Sequence, residues 1–277
     1  MMALPWDPAG YTFWYVLLIF CMTVIERRFP WRQQALLRAG FKFDVFLVCF
    51  NGLVVGLLLG ALSAGSANAW HAVGLPTWSP PVLIQLPPWA QFLVVLVAKD
   101  FLEWLVHRLL HRVPWLWEYH KVHHSITTMD WLGNMRFHWM EVVIYRALLW
   151  VPLSLILVEW QVALVLAVVS TLVGHLNHAN LRLDWGPLRY VFNSPRFHVW
   201  HHDAATTAPF GTNFAIIFTC WDWWFGSAHF PPTATMPERL GYAGQEHDPR
   251  SPWRRWCSVM PFLRVNTKKN RFVSGDY

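Results

Sequence analysis

Five long apolar stretches constrain this chain more than any other feature, because each approaches the length of a membrane-spanning helix. They lie at approximately 11–25, 43–64, 88–106, 140–158 and 160–176. A helix needs ~20 apolar residues to cross the hydrocarbon of a bilayer. Only 14% of the 277 residues are charged, against about 25% in soluble domains. The sequence therefore predicts an all-α integral membrane protein with four to five membrane-embedded helices.

A single membrane-embedded domain is predicted over 1–277, because no internal repeat and no low-complexity linker divides the chain. Its core is predicted at 95–227, which contains most of the histidines, and a cytoplasmic tail follows at 228–277. The first apolar stretch has no basic segment before it and no small-residue cleavage site after it. A retained helix is therefore predicted there, rather than a signal peptide.

The basic residues predict the orientation of these helices. Those after the first apolar stretch are Arg27, Arg28, Arg32, Arg38 and Lys42, and those after the third are Arg108, Arg112, Lys121 and Arg136. Residues 65–87 contain neither Lys nor Arg. By the positive-inside rule, the histidine-rich segments form a cytoplasmic helical cap on a multi-pass protein of a bacterial inner membrane or an endoplasmic reticulum membrane. The net charge of +6 is not gathered into a basic stripe, so no nucleic acid partner is predicted.

Histidines recur at helical spacing in three short motifs, and the spacing points to metal ligation. The motifs are His107-x3-His111, His120-x2-His123-His124 and His198-x2-His201-His202. Residues four apart share one face of a helix, and neutral imidazole is the commonest protein metal ligand. Eight donors are too many for one zinc ion, which takes four ligands. The motifs therefore predict one shared centre for two metal ions.

Other readings of the histidines remain open at this point. Zinc in such a centre would support hydrolysis, and iron would support O2 activation. Haem ligation needs isolated axial pairs, which adjacent histidine doublets do not provide. A histidine-rich metal transporter would carry its ligands midway through the spans, whereas these motifs lie at span ends and in the predicted cytoplasmic segments.

The motifs and their flanking residues are distinctive in order and spacing. They read Asp100-x6-His107-Arg-x2-His111, Leu116-Trp117-x2-His120-x2-His123-His124-Ser125 and Asn193-Ser194-Pro195-x2-His198-x2-His201-His202. Over about 95–227 the chain resembles the fatty acid hydroxylase/sterol desaturase superfamily. The run from Gly186-Pro187-Leu188 to the last motif is similar to the alkylglycerol monooxygenase branch. The stretch Arg136-x-His138-x2-Glu141 is similar to bacterial sterol-desaturase-like proteins.

This resemblance implies a di-iron membrane monooxygenase that uses O2 to hydroxylate a C–H bond of a lipid, fatty acyl or sterol-like substrate drawn from the bilayer. Ether-lipid cleavage of the alkylglycerol type and desaturation are the alternative reactions. The implied cofactors are two iron ions, for which zinc can substitute. The chain carries no flavin, haem or ferredoxin motif, so the implied electron donor is external, either an electron-transfer protein or a reduced pterin.

Three further histidines lie near the motifs. His178 matches an additional histidine of the family and is predicted to be a ninth ligand. His175 lies three residues earlier on the same helical face, and His138 follows the second motif. Each of these two is predicted to be either an additional ligand or a hydrogen-bonded neighbour of the ligands.

Polar residues around the motifs complete the predicted site. Asp100 lies seven residues before His107, so it is expected to accept a hydrogen bond from a ligating imidazole. Asn213 and Asp203 follow the last motif and are expected to orient it, with Asn213 grouped with Asp100 in the catalytic machinery. Glu103 is interpreted as an ordinary residue of the membrane interface.

Overall fold

Within the part of the chain that the structure describes, ten α-helices form where the sequence is apolar or where proline starts a new turn. A computed structural model describes residues 10–55, 81–154, 160–205, 211–232, 235–248 and 251–258. The helices are α1 (Tyr11–Arg28), α2 (Phe41–Cys49), α3 (Pro81–Gln85), α4 (Pro88–Arg112), α5 (Pro114–His124), α6 (Trp139–Ser154), α7 (Trp160–His178), α8 (Pro195–His198), α9 (Cys220–Trp224) and α10 (Pro252–Trp256). Short 3₁₀ turns cover Trp131–Met135, Gly186–Tyr190, Val199–His202 and Gln245–His247. Across these ranges β-structure is limited to three isolated bridges.

The five predicted apolar stretches correspond to α1, α2, α4, α6 and α7, so the expected helical fold is confirmed. The second stretch continues from α2 as a π-helical turn, Phe50–Val55. Residues 56–64 of that stretch and 155–158 of the fourth lie outside the described residues. Within the described parts, one helix, Gln161–His178, is long and apolar enough to cross a membrane.

Charged residues explain why α1 and α4 do not meet the same standard. α1 ends in Glu26-Arg27-Arg28, and α4 contains Lys99, Asp100 and Glu103 in its middle. The three α4 residues are buried inside the protein, and Lys99 Nζ lies 2.7 Å from Glu103 Oε2. Glu103 is therefore an interior ion-pair partner, and its assignment as an ordinary interface residue was wrong.

Proline sets the turn between α4 and α5. Pro114 has a fixed φ and no backbone N–H, so it is suited to the first turn of a helix and cannot continue the previous one. Val113 takes an extended conformation between the two helices. α5 consequently folds back to pack against α4. This reversal brings the histidines of the first motif against those of the second.

The histidine-rich ends of the apolar helices lie on one side of the fold. Glu26, at the end of α1, accepts hydrogen bonds from the backbone N–H groups of Trp131 (2.9 Å) and Asn180 (3.1 Å). Near the start of α2, Asp44 is paired with Arg136, which lies just before α6. The carboxyl ends of α1, α4 and α7 and the amino ends of α2 and α6 therefore meet at this side.

Two of the basic residues used to predict orientation are buried. Arg38 contacts both Asp130 and Asp44, and Arg136 donates to the two carboxylate oxygens of Asp44 at 2.5 and 2.9 Å. Buried ion pairs of this kind stabilise the packing of the fold. They do not indicate on which side of the membrane a loop lies. The exposed basic residues of this loop, which still indicate its orientation, are Arg27, Arg28, Arg32 and Lys42.

Candidate metal centre

Nine buried histidines converge in two neighbouring groups. The first group is His107, His111, His120, His124 and His201, and the second is His123, His178, His198 and His202. Within each group, one ligand atom of every residue lies within 4.8 Å of those of all the others. The structure thus brings together all eight histidines of the three motifs, with His178 as the ninth member.

Each HxxHH motif is divided between the two groups. On α5, His120 and His124 face the first group, while His123 faces the second. The last motif divides the other way, since His201 joins the first group while His198 and His202 join the second. Between the groups, the ring centroids of His124 and His202 lie 4.6 Å apart, and those of His198 and His201 lie 5.1 Å apart. The groups are therefore in direct ring contact, which is the arrangement that a shared two-metal centre requires.

Hydrogen bonds from the outer nitrogens orient three rings of the first group. His107 Nδ1 donates to the carbonyl of Phe214 at 2.8 Å, and His201 Nδ1 donates to the carbonyl of Thr212 at 2.7 Å. His120 Nδ1 lies 2.7 Å from the carboxylate of Glu141. The Nε2 atoms of these three histidines are buried and have no hydrogen-bond partner among the described residues. A metal ion fits there, because orienting Nδ1 in this way leaves the Nε2 lone pair for the ion.

Nitrogen atoms crowd together in the second group in a way that hydrogen bonds do not explain. His178 Nδ1 donates to the carbonyl of Gly174 at 2.9 Å, so its Nε2 carries the lone pair. That Nε2 atom lies 3.2 Å from Nε2 of His123 and 3.2 Å from Nε2 of His198. One acceptor facing two ring nitrogens is the geometry expected when all three atoms converge on a cation.

Burial keeps the histidines of the motifs uncharged. It lowers the pKa of His120, His123, His124, His198, His201 and His202 well below the usual value of 6.5, and neighbouring histidines lower it further. A neutral imidazole keeps the lone pair that metal ligation needs. Among the described residues, neither group includes a carboxylate or a thiol. The donor set is therefore nitrogen alone.

Asp100 does not have the partner predicted for it. Its carboxylate accepts hydrogen bonds from the backbone N–H groups of Ile217 (2.8 Å) and Phe218 (3.0 Å) and from the indole N–H of Trp221 (2.8 Å). The face of α4 that carries Asp100 turns toward residues 216–221 at that level. Asp100 therefore anchors this segment, and the carboxylate that contacts a ligand is Glu141.

Asn213 holds the loop whose backbone carbonyls contact His201 and His107, and its expected catalytic role stays a prediction. Its side-chain amide donates to the carbonyls of Phe197 and His229, both at 2.8 Å, and its Oδ1 accepts from the N–H of His229 at 2.7 Å. Its backbone adopts a left-handed conformation with φ of 57°. Thr212 and Phe214 on either side present their carbonyls to His201 and His107.

The remaining candidates lie outside both groups. His138 has both nitrogens engaged, since Nδ1 accepts from the N–H of Met140 and Nε2 donates to the carbonyl of Ser258, each at 3.0 Å. It caps the start of α6. His175 Nδ1 donates to the carbonyl of Trp131 at 2.9 Å. Asp203 Oδ1 accepts from the N–H of Ala205 at 3.1 Å, in the turn after the last motif.

Glu141 is the functional residue that sequence reasoning missed. Two observations in the sequence pointed to it: its place in the Arg136-x-His138-x2-Glu141 stretch, and its charge inside an otherwise apolar run. The helix pattern alone could not show that α6 lies beside α5. The Thr212 and Phe214 carbonyls leave no signature in the sequence, because every residue has a carbonyl group.

Glu141→Gln is expected to lower the metal affinity of the centre by about 10–100-fold, the usual range for a residue that orients a metal ligand. Glutamine keeps the volume of the side chain and replaces the carboxyl group that contacts His120 Nδ1 with an amide. The metal content of the purified protein provides the measurement. Met140→Leu, a change at the neighbouring position, is the control and should behave like the unmodified protein. Wild-type metal affinity in Glu141→Gln would contradict the assigned role.

Comparison with known proteins agrees with this site. Residues 92–227 match the model of the fatty acid hydroxylase family, and that segment contains every histidine of the two groups. This match confirms the resemblance predicted from the motifs, over slightly less than half of the chain. No solved structure matches it.

Three relatives with different named activities are similar to this chain. Ornithine lipid hydroxylase OlsE of Rhizobium tropici is 28% identical over 241 residues, which is 83% of this chain and 70% of the relative. Very-long-chain aldehyde decarbonylase GL1-10 of Oryza sativa subsp. japonica is 28% identical, over 72% of this chain and 65% of its own length. Alkylglycerol monooxygenase of Caenorhabditis elegans is 27% identical over 64% of this chain, and the match spans 36% of that protein. The names of these three relatives are those of enzymes that act on an ornithine lipid, a very-long-chain aldehyde and an alkylglycerol.

Proposed function

We propose that the protein is an O2-dependent membrane hydroxylase that uses a pair of iron ions to oxidise a C–H bond of a lipid. The observation that carries this proposal is the set of nine buried, uncharged histidines in two groups whose rings are in contact. A binding module for one ion would not need two adjacent groups. Affinity alone would favour zinc over ferrous iron. The match to the fatty acid hydroxylase family model is what supports iron and O2 chemistry over the hydrolytic chemistry of zinc.

When bound, the iron pair supplies O2 activation. One oxygen atom enters the C–H bond, and the other leaves as water after taking up two electrons and two protons. The protein's own residues hold the ligand rings in the orientation that metal binding needs. The carbonyls of Thr212 and Phe214 and the carboxylate of Glu141 fix the outer nitrogens of three ligands. Electrons come from an external donor, for which an electron-transfer protein and a reduced pterin are the two candidates.

The long match to an ornithine lipid hydroxylase makes a polar membrane lipid the first substrate to test. Cells that express the protein would be compared with cells that express His202→Ala, and their lipids analysed by mass spectrometry. A lipid that gains one oxygen atom only with the unmodified protein is the expected result. Fatty aldehyde release from an ether lipid would instead support an alkylglycerol-type activity, and loss of two hydrogen atoms would support desaturation. Iron analysis of freshly prepared protein completes the test.

We also propose that α1, α2, α4, α6 and α7 lie in the membrane, with the histidine motifs on the cytoplasmic side. Large apolar side chains are exposed along α1 and α4, among them Val16 (58%), Phe20 (66%) and Val94 (50%). Exposed apolar surface on this scale marks contact with lipid or with another protein. The meeting of the five helix ends on the histidine side supports the same topology, because helices that cross in alternating directions require it.

Cysteine labelling in intact cells tests this topology. In a cysteine-free background, Ser79→Cys is expected to react with a membrane-impermeant maleimide, because residues 65–87 carry no Lys or Arg. Ser251→Cys should react only after the membrane has been opened. Residue 79 lies outside the described residues, so its side of the membrane is predicted from sequence alone. The reverse labelling pattern would contradict both the topology and a cytoplasmic supply of electrons.

A further inference from the structure

Residues 211–227 form an apolar segment without a long helix. Asp222 is the one charged residue in this range, and the segment contains only the short helix α9. Ile217 belongs to the buried cluster that includes Val95 and Leu96 of α4. Leu96 precedes His107 by eleven residues, which corresponds to about 16 Å of helix. The segment therefore descends from the metal centre along α4, to a level inside the third predicted apolar stretch.

Buried carboxylates accept hydrogen bonds from the backbone N–H groups of this segment. Asp100 accepts from Ile217 and Phe218, as described above. Asp222 accepts from the N–H groups of Phe214 (3.0 Å) and Ala215 (2.8 Å). Every N–H group from 214 to 218 except that of Ile216 thus has a side-chain acceptor, although these residues lie outside any helix. The Asp100 and Asp222 carboxylates are both fully buried.

Side-chain amides and a backbone N–H of a neighbouring loop donate hydrogen bonds to the carbonyls of the same segment. Asn177 Nδ2 donates to the carbonyl of Ile216 at 2.7 Å, and Asn193 Nδ2 donates to that of Ala215 at 2.6 Å. The N–H of Asn193 donates to the carbonyl of Ile217 at 2.8 Å. Irregular backbone at membrane depth is tolerated only where its polar groups are satisfied by protein or water. Such extensive pairing is what a segment inside the bilayer needs.

The outer face of this region is aromatic, apolar and exposed. Its most exposed residues are Leu188 (55%), Tyr190 (53%), Trp224 (71%) and Phe225 (49%). The ring of Phe225 lies 6.3 Å from that of Phe101 on α4. Phe101 follows the exposed Val97 by one helical turn. The face is therefore continuous with the exposed apolar surface of α4. In the range 186–192 the one charged residue is Arg189, which is paired with Asp184.

We propose that residues 186–192 and 211–227 form a re-entrant segment that enters the membrane from the histidine side and returns to it. Its aromatic face contacts the phospholipid acyl chains of that leaflet. The inference rests on the proposed membrane location of α4. Depth and continuity with α4 favour acyl chains over a protein partner, because the same surface of α4 faces lipid in that topology. Lipids then meet the protein beside the Thr212–Phe214 loop that orients His107 and His201.

Spin labels can measure the depth of this segment in phosphatidylcholine nanodiscs. In a full-length protein whose four cysteines are replaced by serine, single labels are attached at Leu188→Cys and at Trp224→Cys. Val97→Cys on α4 reports the lipid, and Arg239→Cys, with a side chain 62% exposed in the C-terminal region, reports water. Collision rates are measured with oxygen, which concentrates in lipid, and with a water-soluble nickel chelate.

Both labels on the segment are expected to behave like the label at Val97, with high oxygen and low nickel accessibility. Labels at 188 and 224 that behave like the one at 239, while the Val97 label is in lipid, would overturn the inference and leave the membrane topology standing. A label at 97 that faces water would instead overturn the topology itself. Low accessibility to both probes would assign the face to a second copy of the chain, which also overturns the inference. The two positions lie in separate segments, the 3₁₀ turn at Gly186–Tyr190 and helix α9, so the misfolding of one variant leaves the other as a test.

Discussion

Replacing His124 with alanine is expected to abolish lipid oxidation and to lower the iron content, while the protein still inserts into the membrane. His124 lies where the two histidine groups meet. Its Nε2 atom is 3.1 Å from that of His111, and its ring contacts those of His201 and His202. The neighbouring histidines already belong to one of the groups, so none can replace the lost donor. The same result is expected for His120→Ala and His202→Ala.

His175→Ala is the matched control for these variants. His175 is a buried histidine on α7, three residues before His178, yet it lies outside both groups and contacts the carbonyl of Trp131. It should keep its iron and most of its activity. Iron would be measured by elemental analysis and products by mass spectrometry. Full activity in His124→Ala, or loss of iron in His175→Ala, would contradict the two groups as they are defined here.

Gly211→Ala is expected to reduce lipid oxidation by about 10–100-fold or more, the range for disturbed ligand orientation. A Cβ atom at this position would lie 2.7 Å from Nδ1 of His111, far inside van der Waals contact. The His111 ring is fixed by the first histidine group and cannot move without losing its place there. The backbone at Gly211 is also left-handed, with φ of +60°, which costs about 1–2 kcal/mol for a residue with a Cβ atom.

Gly186→Ala separates the clash from the backbone strain. Gly186 has φ of +56°, nearly the same as Gly211, but a Cβ atom there meets no described atom within 4 Å. Both variants carry the strain, and only Gly211→Ala displaces a ligand. Gly186→Ala should therefore lose thermal stability while it retains its iron and its activity. Equal losses of activity in the two variants would mean that strain, rather than the contact with His111, is responsible.

Local periodicity is the part of this structure that the sequence could predict. Histidines four apart must share a helical face, so all eight motif histidines were predicted as ligands from spacing, and the apolar runs predicted the long helices. Asp100 shows where such reasoning stops. Its position relative to His107 was predicted from helix geometry, but its partners lie more than a hundred residues later, at Ile217 and Phe218. Only the tertiary fold determines which segment a helical face meets.

The apolar segment at 211–227 escaped prediction for a different reason. It is shorter than a membrane span and is interrupted by Asn213 and Asp222, two residues that normally indicate a polar loop. In the structure these residues hold the irregular backbone together instead of facing water. A polar residue in a short apolar run is therefore compatible with burial when its partners are backbone groups.

The division of each HxxHH motif between the two histidine groups has a consequence for the nuclearity of the centre. α5 supplies histidines to both groups. A rotation of that helix by one residue, about 100°, would therefore remove donors from both groups together. Loss of the 198–202 turn would do the same, because its histidines also serve both groups. Decay of either HxxHH motif would therefore affect both groups, whereas loss of the His107-x3-His111 motif would affect the first group alone. The two histidine groups thus depend on the same helix and the same turn for part of their donors.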